Sequence, residues 1–156
     1  MNYKRNKILM CPPDFFSVEY IINPWMAGLT DPPNKEKAHQ QWRQLKDTIA
    51  RYADIVIIEP QPELPDMVFT ANAGVVSKNK AIASHFMPHE RRPEETHFKS
   101  WFKDNGYDLL DLDDKIGFEG GGDCLFDRGG PWLWTGYGFR TEIEAHAEIA
   151  KYFDVE

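Results

Sequence analysis

Two turns rich in acid and amide residues occupy matching places in a repeated pattern of short strands and helices. The first turn spans residues 65–74 and carries Asp66 and Asn72, and the second spans residues 118–123 and carries Glu119. If the repeats close on one another, the same corner of every unit faces one centre, so we expect these side chains to converge. A cluster of carboxylates and amides suits a planar guanidinium, which has N–H donors all round its edge.

The repeat is a strand, a short turn, a second strand and a helix. The predicted elements are strands at 75–77 and 81–84 with a helix at 93–105, then strands at 124–126 and 132–135 with a helix at 142–153. In the first copy Gly106 is a plausible C′ glycine that leads into a third strand at 107–112. The second copy stops at 154–156, where its third strand would begin. Because such units bury apolar faces against neighbours, we expect so few of them to be marginally stable alone.

The front of the chain predicts a partial unit of the same kind. It has a short buried strand at 7–11, an irregular stretch at 12–33, a helix at 35–53 capped by Asn34, and a strand at 55–58 covered on both faces. One buried stripe is predicted along the helix by spacings of three and four, at Ala38, Trp42, Leu45, Ile49 and Tyr52. A capping box over 141–144 predicts the start of the last helix.

These elements predict a mixed α/β protein with one domain, made of units at about 7–64, 65–117 and 118–156, the last cut short.

The net charge of −7 and the absence of a basic stripe argue against a nucleic-acid partner. Cys11 and Cys124 lie in apolar, strand-like contexts typical of buried thiols in a reducing compartment. The N-terminal apolar run is too short for a signal peptide or membrane span, so we expect a cytoplasmic location.

The histidines show no metal-ligand spacing, and we expect neither a zinc site nor another cofactor.

Several candidate positions allow both a purely structural and a functional interpretation. Glu119 precedes three glycines, which allow a carboxylate to be presented at a tight corner, but it also fits a solvated turn. Asn72 fits a confined polar site or a plain Asx turn. Arg91 lies in a charged run whose default is an exposed face of ion pairs, and Arg140 could fork onto a carboxylate.

Five motifs, in order along almost the whole chain, resemble the guanidino-group-modifying superfamily. They lie at residues 10–13, 22–26, 65–74, 118–123 and 134–140. That superfamily has a five-bladed α/β propeller, the pentein, and includes arginine deiminases, dimethylarginine dimethylaminohydrolases and glycine amidinotransferases. The chain is most similar to the arginine dihydrolase domain of cyanobacterial arginine-degrading enzymes. The resemblance implies an incomplete propeller, about half, of ββαβ units.

The resemblance also implies a covalent mechanism. A cysteine thiolate attacks the guanidinium carbon, ammonia leaves, and water hydrolyses the thiouronium intermediate, with a histidine as general acid and base. Glu119 resembles the catalytic carboxylate that orients this histidine and the substrate. In these enzymes the histidine and the nucleophilic cysteine lie further along the sequence. Neither Cys11 nor Cys124 matches the nucleophile, so the chain resembles an N-terminal half that is inactive alone.

The remaining assignments carry over position by position. Asp66 resembles the acid that holds the guanidinium, and Phe69 resembles an aromatic wall of the site. Asn23 resembles a substrate-contacting residue of the first loop. Arg91 and Arg140 resemble the pair that binds the substrate α-carboxylate.

Asn72 separates the dihydrolases from the deiminases, which usually have aspartate there. The resemblance implies that asparagine allows citrulline to be processed again, giving ornithine, carbon dioxide and ammonia. An amide can both accept and donate hydrogen bonds, whereas an ionised aspartate only accepts.

Several alternatives stay open. The protein could be a dimethylargininase, an arginine deiminase or an amidinotransferase of the same fold, or a non-catalytic binding or assembly module. The expected partners are a small guanidino substrate and the missing C-terminal half of the propeller, and a homo-oligomer of the chain stays open.

Overall fold

The computed structural model describes residues 5–28 and 32–155. These residues divide into two compact units, one up to residue 70 and one from residue 71. In the described part of the chain, no helix has both the length and the apolar character needed to cross a membrane.

The first unit is a βαβ arrangement. Strand β1 (Lys7–Met10) pairs in parallel with β2 (Asp54–Ile57), and helix α1 (Lys35–Ile49) lies between them in the chain. The Asn34 side chain accepts a hydrogen bond from the backbone N–H of Lys37 at 2.8 Å, which confirms it as the helix cap. The parallel pairing follows from the long crossover, because a tight turn joins only antiparallel strands.

Three burial predictions for this unit are wrong. The strand β1 is buried only at its end, since Lys7 and Ile8 are exposed. No residue of α1 is buried, and Leu45 and Tyr52 of the predicted stripe are 54% and 79% exposed. Strand β2 is not covered on both faces, since its central residues are half-buried and Ile57 is exposed. The apolar pattern is present, but two strands and one helix supply too little surface to cover it.

The second unit contains both copies of the predicted repeat. The first copy is β3 (Gly74–Ser77), β4 (Lys80–Ala83), α2 (Arg92–Asp104) and β5 (Asp108–Leu110), and the second is β6 (Cys124–Phe126), β7 (Leu133–Thr135) and α3 (Glu144–Phe153). Strand β4 pairs antiparallel with β3 and parallel with β5, and β6 and β7 form an antiparallel hairpin. The described strands form separate sheets of two, three and two strands, so the propeller stays a prediction.

The two copies share one hydrophobic core. Val75 and Ile82 of the first copy pack in one cluster with Cys124, Ala145 and Ile149 of the second. Both Cys11 and Cys124 are buried, as predicted. Gly106 has a φ of +78° after α2, which confirms the C′ position.

The predicted capping box is wrong. Helix α3 begins at Glu144, and its N-cap, Ile143, makes no side-chain capping bond. The Thr141 hydroxyl instead donates to Asp123 Oδ2 at 2.8 Å and accepts the backbone N–H of Glu119 at 3.1 Å. A partly buried carboxylate and a buried N–H therefore compete successfully with the helix terminus for this hydroxyl.

Candidate active site

The two polar turns of the sequence meet in the second unit. Asn72 lies in a 3₁₀ turn (Thr70–Ala73) immediately before β3, and Glu119 precedes a 3₁₀ turn (Gly120–Gly122) immediately before β6. Gly120 has a φ of +55°, and a Cβ there would lie 2.7 Å from the backbone nitrogen of Gly74. Only glycine permits both that conformation and that approach. The Asn72 amide consequently donates directly to Glu119 Oε1, and the expected convergence is confirmed for this pair.

Glu119 is the centre of the cluster and is only 3% exposed. Its Oε1 atom accepts from Asn72 and from Arg91 Nη1 at 3.1 Å, and it lies 3.6 Å from Arg140 Nη1. Its Oε2 atom is buried and has no hydrogen-bond partner among residues 5–28 and 32–155. Burial raises the pKa of the Glu119 carboxyl, and the charges of Arg91 and Arg140 and the Asn72 hydrogen bond offset that rise only in part.

Arg91 is buried, and the prediction of an exposed face of ion pairs is wrong for this residue. It is 2% exposed, and its guanidinium lies 4.1 Å from the centroid of the Phe86 ring. Nε and Nη2 donate to the two carboxylate oxygens of Glu94 at 3.0 and 2.8 Å. The expectation for a charged run considers only neighbouring residues in the sequence. It cannot show that the Phe86 ring and the Glu94 carboxylate enclose the Arg91 guanidinium in the fold. Contact between Arg91 and a substrate α-carboxylate stays a prediction.

Arg140 approaches Glu119 from the second copy of the repeat. Its Nη2 atom donates to Asp123 Oδ1 and to the Gly122 carbonyl at 3.2 Å, and its side chain remains partly exposed. That exposure leaves the guanidinium accessible to a small anion, so its predicted role at a carboxylate remains a prediction that the geometry allows.

Sequence reasoning missed two members of the cluster. Asp123 closes the turn that contains Glu119, and its carboxylate contacts both Arg140 and Thr141. Glu94 pairs with Arg91 across one helical turn. The only sequence signal for Glu94 is its spacing of three from Arg91, which places two helical residues side by side.

The first unit contains three of the predicted site residues. Asp66 is buried and accepts a hydrogen bond from the Tyr20 hydroxyl at 3.1 Å. Phe69 is partly exposed and packs edge-to-face against Phe16, with ring centroids 6.0 Å apart. The predicted roles of Asp66 and Phe69 at a guanidinium remain predictions.

Asn23 has a local role that its sequence context did not indicate. Its side-chain oxygen accepts the backbone N–H groups of Trp25 and Met26, both at 3.1 Å, and so caps the short helix Pro24–Met26. Contact between Asn23 and a substrate stays a prediction.

The cluster in the second unit carries an excess of acid. Arg91 and Arg140 supply two formal positive charges, against three negative charges from Glu94, Glu119 and Asp123. A partly buried cluster with one excess carboxylate is suited to receive one cation. In the described part of the chain, no group of three or more His, Cys, Asp or Glu side chains is placed to bind a metal ion.

Cys124 lies one residue beyond Asp123 but lacks the properties of a nucleophile. Burial, with a smaller contribution from the Asp123 charge, raises the pKa of its thiol to about 12. The thiolate is the reactive form of cysteine, so this thiol is inert at neutral pH.

Comparison with known proteins places the chain in a family. A family model described as N,N dimethylarginine dimethylhydrolase, eukaryotic, matches residues 23–156. The chain belongs to this family. It is 40% identical over 148 residues to an N(G),N(G)-dimethylarginine dimethylaminohydrolase of Mycobacterium tuberculosis, covering 94% of this chain and 47% of that protein.

A second group of relatives carries a different activity in its name. The chain is 49% identical over 150 residues to ArgZ of Synechocystis sp., a bifunctional arginine dihydrolase/ornithine cyclodeaminase, covering 96% of this chain. The crystal structure of the N-terminal domain of ArgZ bound to substrate matches with a TM-score of 0.92 and 48% identity, covering 96% of this chain and 55% of that one. The chain therefore spans about a fifth of the full ArgZ sequence and about half of the solved domain.

More distant structures agree on the fold. A dimethylarginine dimethylaminohydrolase of Pseudomonas aeruginosa, complexed with citrulline, matches with a TM-score of 0.75 at 18% identity, covering 97% of this chain and 58% of that one. The chain thus shares the α/β pentein type of fold with these neighbours.

Replacing Glu119 with glutamine tests the raised pKa of its carboxyl. A carboxyl whose folded pKa is raised stabilises the protein fully below its unfolded value, and that stability is lost as pH rises through the folded pKa. Glutamine cannot ionise and avoids the loss. In the intact protein that carries this chain, we expect the Tm of Glu119→Gln, relative to the parent, to rise between pH 4 and pH 7.

Differential scanning fluorimetry across that pH range provides the measurement. Glu148→Gln, which changes an exposed carboxylate on α3, controls for the chemical substitution. A relative Tm of Glu119→Gln that falls toward pH 7 would show that Glu119 is stabilised as a carboxylate, contrary to the raised pKa.

Proposed function

We propose that this chain is part of an arginine dihydrolase, a hydrolase that converts L-arginine to ornithine, ammonia and carbon dioxide. Glu119 carries the proposal, because one oxygen of its buried carboxylate has no hydrogen-bond partner in the described part of the chain. An unsatisfied buried polar atom costs about 1–3 kcal/mol. A guanidinium N–H that reaches Oε2 would remove that cost and add a charge-assisted hydrogen bond.

The charge of the cluster favours the same ligand. Arginine brings one positive charge to a group of side chains with one excess negative charge. Its α-carboxylate would meet Arg140, whose guanidinium is partly exposed, and Arg91. The similarity to ArgZ supports arginine over a methylated derivative, and a structure of an ArgZ domain carries a covalently bound reaction intermediate.

We assign Glu119 and Asn72 to catalysis, and Asn23, Asp66, Phe69, Arg91 and Arg140 to substrate binding. Glu119 holds the guanidinium and orients a histidine that serves as general acid and base. A cysteine thiolate forms the C–S bond at the guanidinium carbon as ammonia leaves, and water then releases the product from the thiouronium. We place that cysteine and histidine outside these 156 residues, since Cys124 is held as a thiol.

The remaining half of the site belongs to a partner segment. We propose that the described repeats form about half of a pentein propeller and that the other half completes the substrate pocket. The 55% coverage of the ArgZ domain by this chain supports this arrangement. Without that half, these residues hold a substrate site that lacks its nucleophile and are inactive.

One alternative activity is favoured by a specific observation. The family match is to dimethylarginine dimethylhydrolases, so hydrolysis of a methylated arginine is the second candidate. Arginine deiminase and amidinotransferase activities are possible on the same fold, and a non-catalytic binding or assembly role belongs to another class.

Product analysis separates these activities. The intact protein, incubated with arginine, should release ornithine and ammonia, because both hydrolytic rounds take place at one site. Chromatography of the amino acids at several times gives the result. Citrulline as the only end product would contradict the dihydrolase and indicate a deiminase, and turnover of dimethylarginine alone would indicate a dimethylargininase.

Replacing Asn72 with aspartate tests why a dihydrolase uses an amide here. The Asn72 amide already donates to Glu119, whereas an ionised aspartate can only accept. The neutral carbonyl of citrulline would then face an acceptor, at a cost of about 1–3 kcal/mol. We expect citrulline turnover to fall about 5- to 150-fold, while the first release of ammonia from arginine persists and citrulline accumulates.

Asn79→Asp makes the same chemical change in the turn between β3 and β4 and should leave both rounds intact. Supplying citrulline directly to Asn72→Asp isolates the second round. Citrulline turnover at the parent rate would show that Asn72 is only a turn residue.

A further inference from the structure

Glu94 is a fully buried carboxylate with no assigned role. It lies in the first turn of α2 and has 0% exposure. Its two oxygens accept Nε and Nη2 of Arg91 at 3.0 and 2.8 Å, so each edge atom of the fork has its own acceptor. This two-point contact fixes the plane of the guanidinium, which a single hydrogen bond would leave free to rotate.

The fixed plane determines where the third nitrogen of Arg91 points. With Nε and Nη2 held by Glu94, Nη1 lies 3.1 Å from Glu119 Oε1. The Phe86 ring packs against the guanidinium at 4.1 Å and restricts its movement out of that plane. Glu94, Arg91 and Glu119 thus form a continuous chain of buried contacts that ends at the proposed catalytic carboxylate.

Stability alone gives little reason for such a chain. Burying a carboxylate and a guanidinium removes both from water, and replacing a buried ion pair with apolar residues is often neutral or stabilising. Exposed ion pairs at helical spacing also contribute little to stability. A buried pair whose free edge faces a catalytic group has a more specific explanation in the placement of that group.

We propose that Glu94 is a positioning residue. Its two-point contact fixes the Arg91 guanidinium, which in turn holds Glu119 Oε1 in place and leaves Oε2 directed to the substrate. The effect on catalysis rests on the proposed arginine dihydrolase activity. In this proposal Glu94 acts through Arg91, whose Nε and Nη2 it accepts, and not by contact with the substrate.

Glu94→Gln in the intact protein tests the role of the two-point contact between Glu94 and Arg91. The amide NH₂ would face a guanidinium donor, so the two-point contact cannot be kept and Arg91 turns away from Glu119. We expect kcat/KM for arginine to fall at least about tenfold, as for the loss of a charged hydrogen bond. Glu94→Asp keeps the charge but shortens the side chain, and we expect it to recover part of that loss.

The pH profile distinguishes positioning from a general structural effect. Arg91, Arg140 and Asp123 are the charged groups that act on the Glu119 carboxyl. Loss of Arg91 from this set raises the pKa of Glu119, so the acidic limb of kcat/KM should move up by roughly one pH unit. Loss of a distant negative charge alone would lower that pKa and move the limb down, which would contradict the proposal.

Glu95→Gln provides the matched control. Glu95 is the next carboxylate on the same turn, but its oxygens contact His85 and the Phe86 backbone N–H rather than Arg91. We expect this variant to keep the parent acidic limb. An equal shift in Glu94→Gln and Glu95→Gln would contradict a specific grip on Arg91.

A crystal structure of Glu94→Gln separates this inference from the proposed function and does not depend on turnover. Separation of Arg91 Nη1 from Glu119 supports positioning, and an unchanged contact overturns it. If the parent protein converts no arginine, the dihydrolase proposal is wrong, but the contact still reports on Glu94. If Glu94→Gln fails to fold, Glu94→Asp takes its place in the test. Parent kcat/KM despite a broken Arg91–Glu119 contact, or reduced kcat/KM with that contact intact, would overturn the proposal.

Discussion

The burial of the Glu119 carboxylate is the constraint on which the second unit depends. An ionised carboxylate out of water is costly unless charges and hydrogen bonds compensate it. Asn72 and Arg91 supply donors to one oxygen, and the backbone N–H of Glu119 is held by Thr141. The compensation is incomplete, because the second oxygen has no partner in the described residues and the pKa of the carboxyl is raised. Such unfinished compensation is typical of a functional site.

The repeat explains how two distant stretches of sequence reach one point. Each copy places a 3₁₀ turn immediately before its first strand, and the shared core brings the copies together. Gly120 then allows the second turn to approach the first, since any side chain there would meet the backbone of Gly74. The same carboxylate turn also uses Thr141 as a hydrogen-bond partner, and helix α3 consequently starts without a side-chain cap. Thr141 thus contributes to the arrangement of the site and does not cap the helix.

The sequence predicted the helices and strands better than their burial and tertiary contacts. The two hairpins β3–β4 and β6–β7, the three helices, the Asn34 cap and Gly106 follow from spacing and turn chemistry within one segment of the chain. Burial depends on what lies opposite, and so the apolar stripe of α1 was wrongly predicted as buried. The prediction for Arg91 was wrong in the opposite direction, because it placed a buried side chain on an exposed face. The Phe86 ring and the Glu94 carboxylate that enclose it follow no distinctive sequence pattern. The pairing of Asn72 with Glu119 was anticipated because equivalent corners of a repeat converge, whereas Asp123 and Glu94 emerged only from the contacts.

Glu119 Oε2, which has no partner among the described residues, is proposed to receive the guanidinium of arginine. A crystal structure of the intact protein with bound arginine, with the nucleophilic cysteine replaced to prevent reaction, measures this directly. We expect a guanidinium nitrogen within hydrogen-bonding distance of Glu119 Oε2, at about 2.7–2.9 Å for a charge-assisted bond. The Arg91 contact to Oε1 should be retained. Arginine bound elsewhere, or Oε2 satisfied by a protein donor while the guanidinium makes no contact with Glu119, would contradict it.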